Sequence, residues 1–382
     1  MKFIHTADWH LGRFFYGVHL TDDQAHVLDQ LVDLVKDAQA DALLVAGDIY
    51  DRAIPPVEAI ALLDDVLSRI VKGLRVPVVL IAGNHDSAQR LGFGSRLLAA
   101  EQLHIVGLLP AEMRPIVLHD EHGPVFVHAI PYVEPAEARQ YVADRAIDDH
   151  DAALRALLDS IRARHGLEGR NILVTHAFVA GGQESESERP LSVGGAGTVK
   201  ADCLAGFDYV ALGHLHRPQT VGDERIHYAG SLLKYSFSEA DHIKSVNLVE
   251  MDERGRCRVQ QIRLTPRRDV RCITGYLAEL LQGPPDGQRL DDYLMVTLLD
   301  TGALLDAMGK LRQVYQNVLH IQRAFLMSEA PARKARADHR QVNELDLFSE
   351  FYWQMTGERL SQQHAAAFSS VLDQLRQQEA ER

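Results

Sequence analysis

The sequence predicts an α/β layered domain, followed by a small α+β unit and a helical tail. Three observations predict it. Short, uniformly apolar runs alternate with amphipathic stretches as far as about residue 265. That alternation is the mark of strands and helices laid in layers. The period changes after Asp241 to that of a hairpin, and after Pro266 a second strand–helix series begins. A stretch rich in Ala, Arg and Lys at 328–342 then separates the body from the tail.

The runs are Phe3-Ile4, Ala42 to Ala46, Val76 to Ala82, Val125 to Val127, Ile172 to Val174 and Tyr209 to Leu212. They are mostly β-branched or leucine and apolar throughout, as strands buried on both faces are. Between the first two, Thr21-Asp22-Asp23-Gln24 fits a capping box, with Leu28, Leu31, Val32 and Val35 following at helical spacing. Pro55-Pro56 can open the next helix, which carries Ile60, Leu63, Val66 and Leu67, and Gly73 can close it. Ser245 to Met251 and Arg256 to Leu264 form the hairpin around Asp252-Glu253-Arg254-Gly255. The small unit reads strand (Val270 to Ile273), helix (Tyr276 to Leu281), strand (Leu294 to Leu299), helix (Leu304 to Val314), strand (Val318 to Arg323). Two tail helices follow. One carries Leu345, Leu347, Phe348, Phe351, Tyr352 and Met355; the other carries Phe368, Val371, Leu372 and Leu375. The expected domains are 1–265, 266–327, a linker at 328–342, and a helical region at 343–382.

Composition narrows the class. The 382 residues are 46% hydrophobic and 24% charged, ordinary for a globular protein. No apolar stretch approaches the roughly 20 residues that span a bilayer, and the first residues do not read as a signal peptide. Cys203, Cys257 and Cys272 have no close spacing, so they read as reduced thiols in a cytoplasmic protein. A net charge of −13 argues against a generally basic, nucleic-acid-binding surface but leaves room for a local one.

The chemistry lies where the apolar runs end. Five of them finish, on the C-terminal side, in metal-type donors: Asp8-Trp9-His10; Gly47-Asp48-Ile49-Tyr50-Asp51; Gly83-Asn84-His85-Asp86; Thr175-His176; and Gly213-His214-Leu215-His216. In open α/β sheets, ligands bind outside the carboxyl ends of the strands, so these segments should converge. Asp8 and His10, like His214 and His216, stand at i and i+2 and would point the same way on extended chain. Glycines at 47, 83 and 213 allow tight turns before the donors. Mixed Asp, Asn and His donors suit manganese, iron, zinc or magnesium. A set this large supports two metals that share a carboxylate, the arrangement used for phosphate-ester hydrolysis. His85, followed by Asp86, could then protonate the leaving oxygen. Asp51 reads equally as a helix N-terminal carboxylate or as a partner of the donors.

These motifs resemble the calcineurin-like metallophosphoesterase superfamily over residues 4–216: D-x-H, G-D-x-x-D, G-N-H-D, H and G-H-x-H. The resemblance implies a β-sandwich flanked by helices. His5 to Gly12, Ala46 to Asp51, Ala129-Ile130-Pro131-Tyr132, Ala211 to Arg217 and Tyr228-Ala229-Gly230-Ser231 further resemble the nuclease subunits of bacterial SbcCD complexes. Those are the bacterial form of the nuclease in the double-strand-break repair complex. The resemblance implies one metal at Asp8, His10, Asp48 and His216, and another at Asp48, Asn84, His176 and His214, with Asp48 bridging and His85 catalytic. It also implies manganese and a dimer bound to the SMC-like ATPase SbcC, as a heterotetramer associated with the nucleoid in the cytoplasm. The implied activity is 3′-to-5′ exonuclease on duplex DNA and endonuclease on single strands and hairpins. The 266–327 unit is then a DNA-capping domain and the tail an ATPase-binding region. Relatives from archaea and eukaryotes carry a histidine where this chain has Asp51, so that histidine's role does not transfer.

Residues support DNA independently at one place. Seven arginines (254, 256, 258, 263, 267, 268 and 271) face a single acid, Asp269, between Arg254 and Arg271. Arg254, Arg256, Arg258, Arg267 and Arg268 are the expected phosphate contacts. The loop from Gly181 to Gly197, with Glu184, Glu186 and Glu188, reads as a mobile surface loop without chemistry. Two tail helices with exposed Phe and Leu are too small to form a core alone and should dock on a partner helix. The alternatives are a small-molecule phosphodiesterase or nucleotidase on the same scaffold, or a scaffold subunit with a dead metal site. The intact donor set argues against the last.

Overall fold

The structure, a computed structural model, describes residues 1–188, 197–284, 289–301, 304–324, 344–356 and 358–380. It divides into two compact units, Met1–Asp269 and Val270–Arg382.

The first unit holds two six-stranded mixed sheets. Their strands, in chain order, are β1 (Lys2–Thr6), β2 (Ala42–Val45), β3 (Val78–Ile81), β4 (Leu103–Val106), β5 (Ile116–Asp120), β6 (Gly123–Ile130), β7 (Arg170–His176), β8 (Tyr209–Gly213), β9 (Gln219–Thr220), β10 (Ile226–Tyr228), β11 (Ser245–Met251) and β12 (Cys257–Arg263). One sheet runs β12-β11-β1-β2-β3-β4, with β1 to β4 parallel. The other runs β9-β10-β8-β7-β6-β5, with β10, β8, β7 and β6 parallel.

The sheets face each other across one apolar layer. Phe3, Leu44, Val79, Ile81 and Val249 come from one side, and Val127, Ile172, Val174 and Ala211 from the other. A second core lies on the outer face of the second sheet, where Leu154, Leu157, Leu158 and Ile161 of a helix at His150–His165 meet Leu173, Val210 and Leu212. The apolar runs are therefore strands covered on both faces, and β2 and β3 are buried along their whole length. The β-sandwich with flanking helices is the architecture the sequence predicts.

Local details depart from expectation. The helix α1 (Thr21–Asp37) starts one residue early, with Leu20 at its cap and no side-chain cap bond, so Thr21 and Gln24 form no capping box. The helix α2 (Val57–Ser68) does open after Pro55-Pro56. Gly73 does not close it: the chain widens into a π-helix over Arg69–Leu74 and stops at Arg75, in the left-handed conformation at φ 59°. Strands β4, β5, β9 and β10 are absent from the sequence reading, because their half-exposed or very short runs carry no apolar signal.

The second unit contains a three-stranded sheet, Val270–Gly275, Tyr293–Leu298 and Asn317–Arg323, in that order and wholly parallel. Helices at Leu277–Leu280 and Ala307–Arg312 form the crossovers. The expected α+β unit is thus a βαβαβ arrangement, because parallel strands need a crossover between them. Leu277, Leu294, Val296, Leu311 and Val318 form its core. Two further helices, Glu344–Thr356 and Gln362–Ala380, meet through Phe348 and Phe368, whose rings stack at 3.9 Å. Phe351 and Val371 stay more than half exposed. The expected linker at 328–342 lies outside the described residues.

Candidate metal centre

Parallel strands align their carboxyl ends. Adjacent β1, β2 and β3 bring Asp8, His10, Asp48, Asn84 and His85 to one edge of the first sheet. Adjacent β7 and β8 bring His176, His214 and His216 to the matching edge of the second. Backbone pairing runs on past the strands: the amides of Asp8 and His10 donate to the carbonyls of Gly47 and Asp48 at 3.0 and 2.9 Å. Cross-sheet bonds close the edge. The His214 amide donates to Asp8 at 2.9 Å, and His176 Nδ1 donates to the Ala46 carbonyl at 2.9 Å.

All eight residues come together. Asp48 Oδ2 stands 3.7 Å from His10 Nε2, 3.5 Å from His176 Nε2 and 4.0 Å from His85 Nε2. Asn84 Oδ1 lies 2.9 Å from His176 Nε2 and 3.2 Å from His214 Nδ1. His10 Nε2 lies 3.0 Å from His216 Nε2. Three trios, Asp8–His10–His216, Asp8–Asp48–His176 and His10–Asp51–His85, each place one donor atom per residue within 4.8 Å of the others. Only Asn84 and His85 are not fully buried.

The backbone that presents these donors is strained, which the sequence did not reveal. Asp8, His10, Asp48 and His214 have φ of 53°, 46°, 49° and 107°, a region L-residues avoid. The i, i+2 pairs are therefore not on extended chain: Asp8 and His10 converge through two left-handed residues, contrary to the pleat argument. Glycine matters for space as well as for turning. A Cβ on Gly83 would lie 2.1 Å from Asp48 Oδ1, and one on Gly47 would lie 2.4 Å from His176 Nδ1.

The surroundings bear on three further features of the sequence, Asp86, Asp51 and the Gly181–Gly197 loop. Asp86 does not orient His85. Its carboxylate accepts from the amides of Ile49 (3.0 Å), Tyr50 (2.9 Å) and Gly83 (2.9 Å), stapling the Asp48 loop to the Asn84 loop. His85 is held instead by the Asp51 carbonyl, which accepts from Nδ1 at 2.8 Å and leaves Nε2 facing Asp48. The Asp51 carboxylate accepts from Arg13 at 2.8 Å, so Asp51 is a partner of the centre and not a helix cap. The described part of the Gly181–Gly197 loop is no idle surface: Glu188 accepts the His216 amide at 2.7 Å, and Ser187 Oγ lies 2.6 Å from His216 Nδ1. Residues 189–196 of that loop lie outside the described residues.

Gln24, read as a capping residue, braces the first donor loop. Its amide donates to the carbonyls of Trp9 (3.1 Å) and His10 (2.7 Å), and its oxygen accepts from the Gly12 amide at 3.1 Å. No local pattern marks such a role. A buried glutamine on an apolar helix face is the one available signal.

The arginines do not form one cluster. Register sets Arg258 opposite Glu250, and Glu250 opposite Lys2, so the Asp252–Gly255 turn lies at the amino-terminal end of β1. About six residues of strand, roughly 20 Å, separate that end from Asp8. Arg256 pairs with Asp252 and Arg254 with Glu253 there. Arg267 and Arg268 pair with Asp22 and Asp23 of α1. The expected basic stripe is thus two separate groups, both engaged with acids.

The donor set fits a cation. Burial and the neighbouring Asp48 push the Asp8 carboxyl well above its ordinary range. Burial, then adjacent imidazoles, hold His10 and His214 well below theirs. Burial and Asp48 bring Asp86 up to about 7, against the pull of its three amide bonds. Buried carboxylates and neutral imidazoles crowded together are ligands in want of a positive charge. His10 Nδ1 is buried with no hydrogen-bond partner among the described residues.

Comparisons with known proteins bear on the class. Among solved structures, the chain is similar to TT1561 of Thermus thermophilus, at 15% identity over 68% of this chain and 98% of that one, with a TM-score of 0.37. It is also similar to GAP50, the anchor in the inner membrane complex of Plasmodium, at 11% identity over 70% and 90%, with a TM-score of 0.37. Residues 266–356 match the SbcD_C model, described as the type 5 capsule protein repressor C-terminal domain. Residues 1–218, well over half of the sequence, match the calcineurin-like phosphoesterase model; the chain belongs to that family, whose members are metal-dependent hydrolases.

Proposed function

We propose that the chain is the nuclease subunit of an SbcCD-type complex and hydrolyses DNA phosphodiesters with two divalent metals. The observation that carries the metal reading is the place of Asp48 Oδ2, between His10 on one side and His176 on the other. Asp8, His10, Asp48 and His216 would hold one metal. Asp48, Asn84, His176 and His214 would hold the other. Asp8 stands in two of the three trios of converging donors, one with His10 and His216 and one with Asp48 and His176, so it would serve either position. Mixed nitrogen and oxygen donors of this kind suit manganese. When bound, the metals supply Lewis acidity to the phosphoryl oxygens and a bound water of lowered pKa.

The chain's own groups do the rest. His85 keeps its Nδ1 proton on the Asp51 carbonyl and turns Nε2 toward Asp48, at the partly exposed side of the centre. As the imidazolium, protonated on both nitrogens, it would hydrogen-bond the scissile phosphate through Nε2 and hand that proton to the leaving oxygen. DNA as substrate rests on the resemblance to SbcCD nucleases and on the SbcD_C match at 266–356. The 266–327 unit would cap the DNA, and the helices after residue 343 would bind the SMC-like ATPase. The same reading gives a homodimer within a heterotetramer, working at the nucleoid as 3′-to-5′ exonuclease and hairpin endonuclease. Arg254, Arg256, Arg267 and Arg268 would serve phosphates only by exchanging the acids they now hold, and Arg258 would serve beside them. Among the described residues, no helix is long and apolar enough to cross a membrane.

The test compares manganese-dependent cleavage of a DNA hairpin with that of a chromogenic phosphodiester, with and without the ATPase subunit and with His85→Ala as control. Hairpin cleavage that His85→Ala abolishes is the expected result. Two bound metals with DNA left uncut, even with the ATPase, would remove the nuclease reading. Preference for the chromogenic ester would favour a small-molecule phosphodiesterase.

A further inference from the structure

Behind His216 lies a buried polar chain that the metal reading does not use. Ser187 Oγ is 2.6 Å from His216 Nδ1 and donates to Glu239 Oε1. Lys244 Nζ donates to Glu239 Oε2, to Ser231 Oγ at 2.8 Å and to the His216 carbonyl at 2.7 Å. Glu239 is wholly buried, and Lys244 and Ser187 are buried with it. Burying a charged pair in a protein interior is costly, and replacing it with apolar groups is often neutral or better. Its presence here calls for a role.

Proton accounting supplies one. Glu239 accepts from Lys244, Ser187, the Tyr235 amide (3.2 Å) and Ser236 Oγ (3.2 Å). Four donors aimed at one carboxyl leave it no proton to give. The Ser187 hydroxyl has one proton, and Glu239 takes it. Toward His216, Ser187 can therefore only accept. The proton of a neutral His216 must then sit on Nδ1, and Nε2 is left as a lone pair facing His10.

We propose that Ser187, Glu239 and Lys244 are positioning residues that set the tautomer and ring orientation of His216, so that Nε2 is presented as a metal donor. The metal consequence rests on the two-metal reading above; the tautomer itself does not. Lys244 also fixes the His216 backbone through the carbonyl, while Glu188 fixes it through the amide. Outer partners that orient a ligating histidine in this way are worth about 10–100-fold in metal affinity.

The test uses the full chain, metal-free, with nitrogen-15 NMR of the imidazole rings and His216→Gln to assign the signal. In the unaltered chain, the proton is expected on Nδ1. Ser187→Ala should abolish that preference while leaving the melting temperature close to that of the unaltered chain. Calorimetric titration with Mn²⁺ should then show one of two equivalents weakened by about 10–100-fold and the other unchanged. Ser187→Thr, which keeps the hydroxyl, should restore both. If Ser187→Ala does not fold, Ser187→Cys keeps the volume, weakens the acceptor and carries the same test. An unchanged tautomer in the variant would overturn the inference, as would both equivalents weakening together. A chain that binds no Mn²⁺ yet shows the tautomer shift would keep the relay and remove the two-metal reading.

Discussion

His10 Nε2 and His216 Nε2 face each other at 3.0 Å, although 206 residues separate them in sequence. Two imidazole nitrogens this close share either a proton or a cation. The Ser187 relay leaves a lone pair on His216 Nε2, so without metal His10 must supply the proton. That strips His10 Nδ1, which is buried and unpartnered among the described residues. Were both Nε2 lone pairs to hold a cation, the His10 proton would sit on Nδ1, which faces Asp51 Oδ1 at 3.8 Å. The pair is better satisfied in the metal-bound form.

The first prediction follows from that pair. His216→Ala should reduce the bound metal from two equivalents to one, and His10→Ala should do the same. Affinity at the damaged position should fall by more than the roughly 10–100-fold typical of an outer partner. Metal analysis after dialysis checks it. Two equivalents retained in both variants would show that neither histidine is a donor.

His85 should behave differently. Its Nδ1 is spent on the Asp51 carbonyl and its Nε2 lies 4.0 Å from Asp48 Oδ2, farther than His10 or His176. His85→Ala should keep both metals and lose about 10²–10⁴-fold in kcat, the range for a positioned proton donor, with KM little changed. Metal content and steady-state kinetics on the same sample check it. Loss of a metal equivalent would reassign His85 as a ligand.

The centre was legible because the signal was positional. Parallel strands carry their carboxyl ends to one edge, so donors after β1, β2, β3, β7 and β8 had to meet. Their backbone was not legible. Left-handed φ at Asp8, His10, Asp48 and His214 breaks no sequence rule, because aspartate and histidine occur widely without it. The supports were hidden for another reason. Gln24, Ser187, Glu239 and Lys244 act through hydrogen bonds to residues at irregular separations along the chain, which leave no periodicity. Which of the arginines share a surface was not legible, because charge density along the chain says nothing of which end of a strand it occupies.

Gly83 gives a sharper test of the geometry. An added Cβ would stand 2.1 Å from Asp48 Oδ1 and 2.3 Å from the Asp48 amide, so one of them must move. The carboxylate is the mobile partner, and it is the one placed between the two histidines. Gly83→Ala should cost about 1–3 kcal/mol, as overpacking does. Hydrolysis should fall far more than stability, because the chain still folds around a displaced Asp48. Thermal melts set beside kcat with saturating metal check it. Unchanged kcat would mean that Asp48 does not need its present position.

The last prediction concerns acid stability, away from the centre. Asp120 ends β5 and Arg170 begins β7, with β6 between them. Arg170 donates twice to Asp120, at 2.7 and 2.6 Å, and once to the Gly123 carbonyl at 2.8 Å. Both side chains are 5% exposed. The Arg170 guanidinium holds the Asp120 carboxyl well below the ordinary range, outweighing burial. An acid depressed in the folded state binds its proton later than in the unfolded chain. Its stabilisation is therefore complete above the unfolded pKa of about 3.9, and it drains away as pH falls from there toward the folded value. Asp120→Asn should destabilise the protein at pH 7 and flatten the loss of stability below pH ~4, because the titrating group is gone. Asp120→Ala should cost about 3 kcal/mol at pH 7, since it strands a buried guanidinium. Urea midpoints at pH 7 and near pH 3 check both variants. Parallel pH profiles for the unaltered chain and Asp120→Asn would place the acid sensitivity elsewhere.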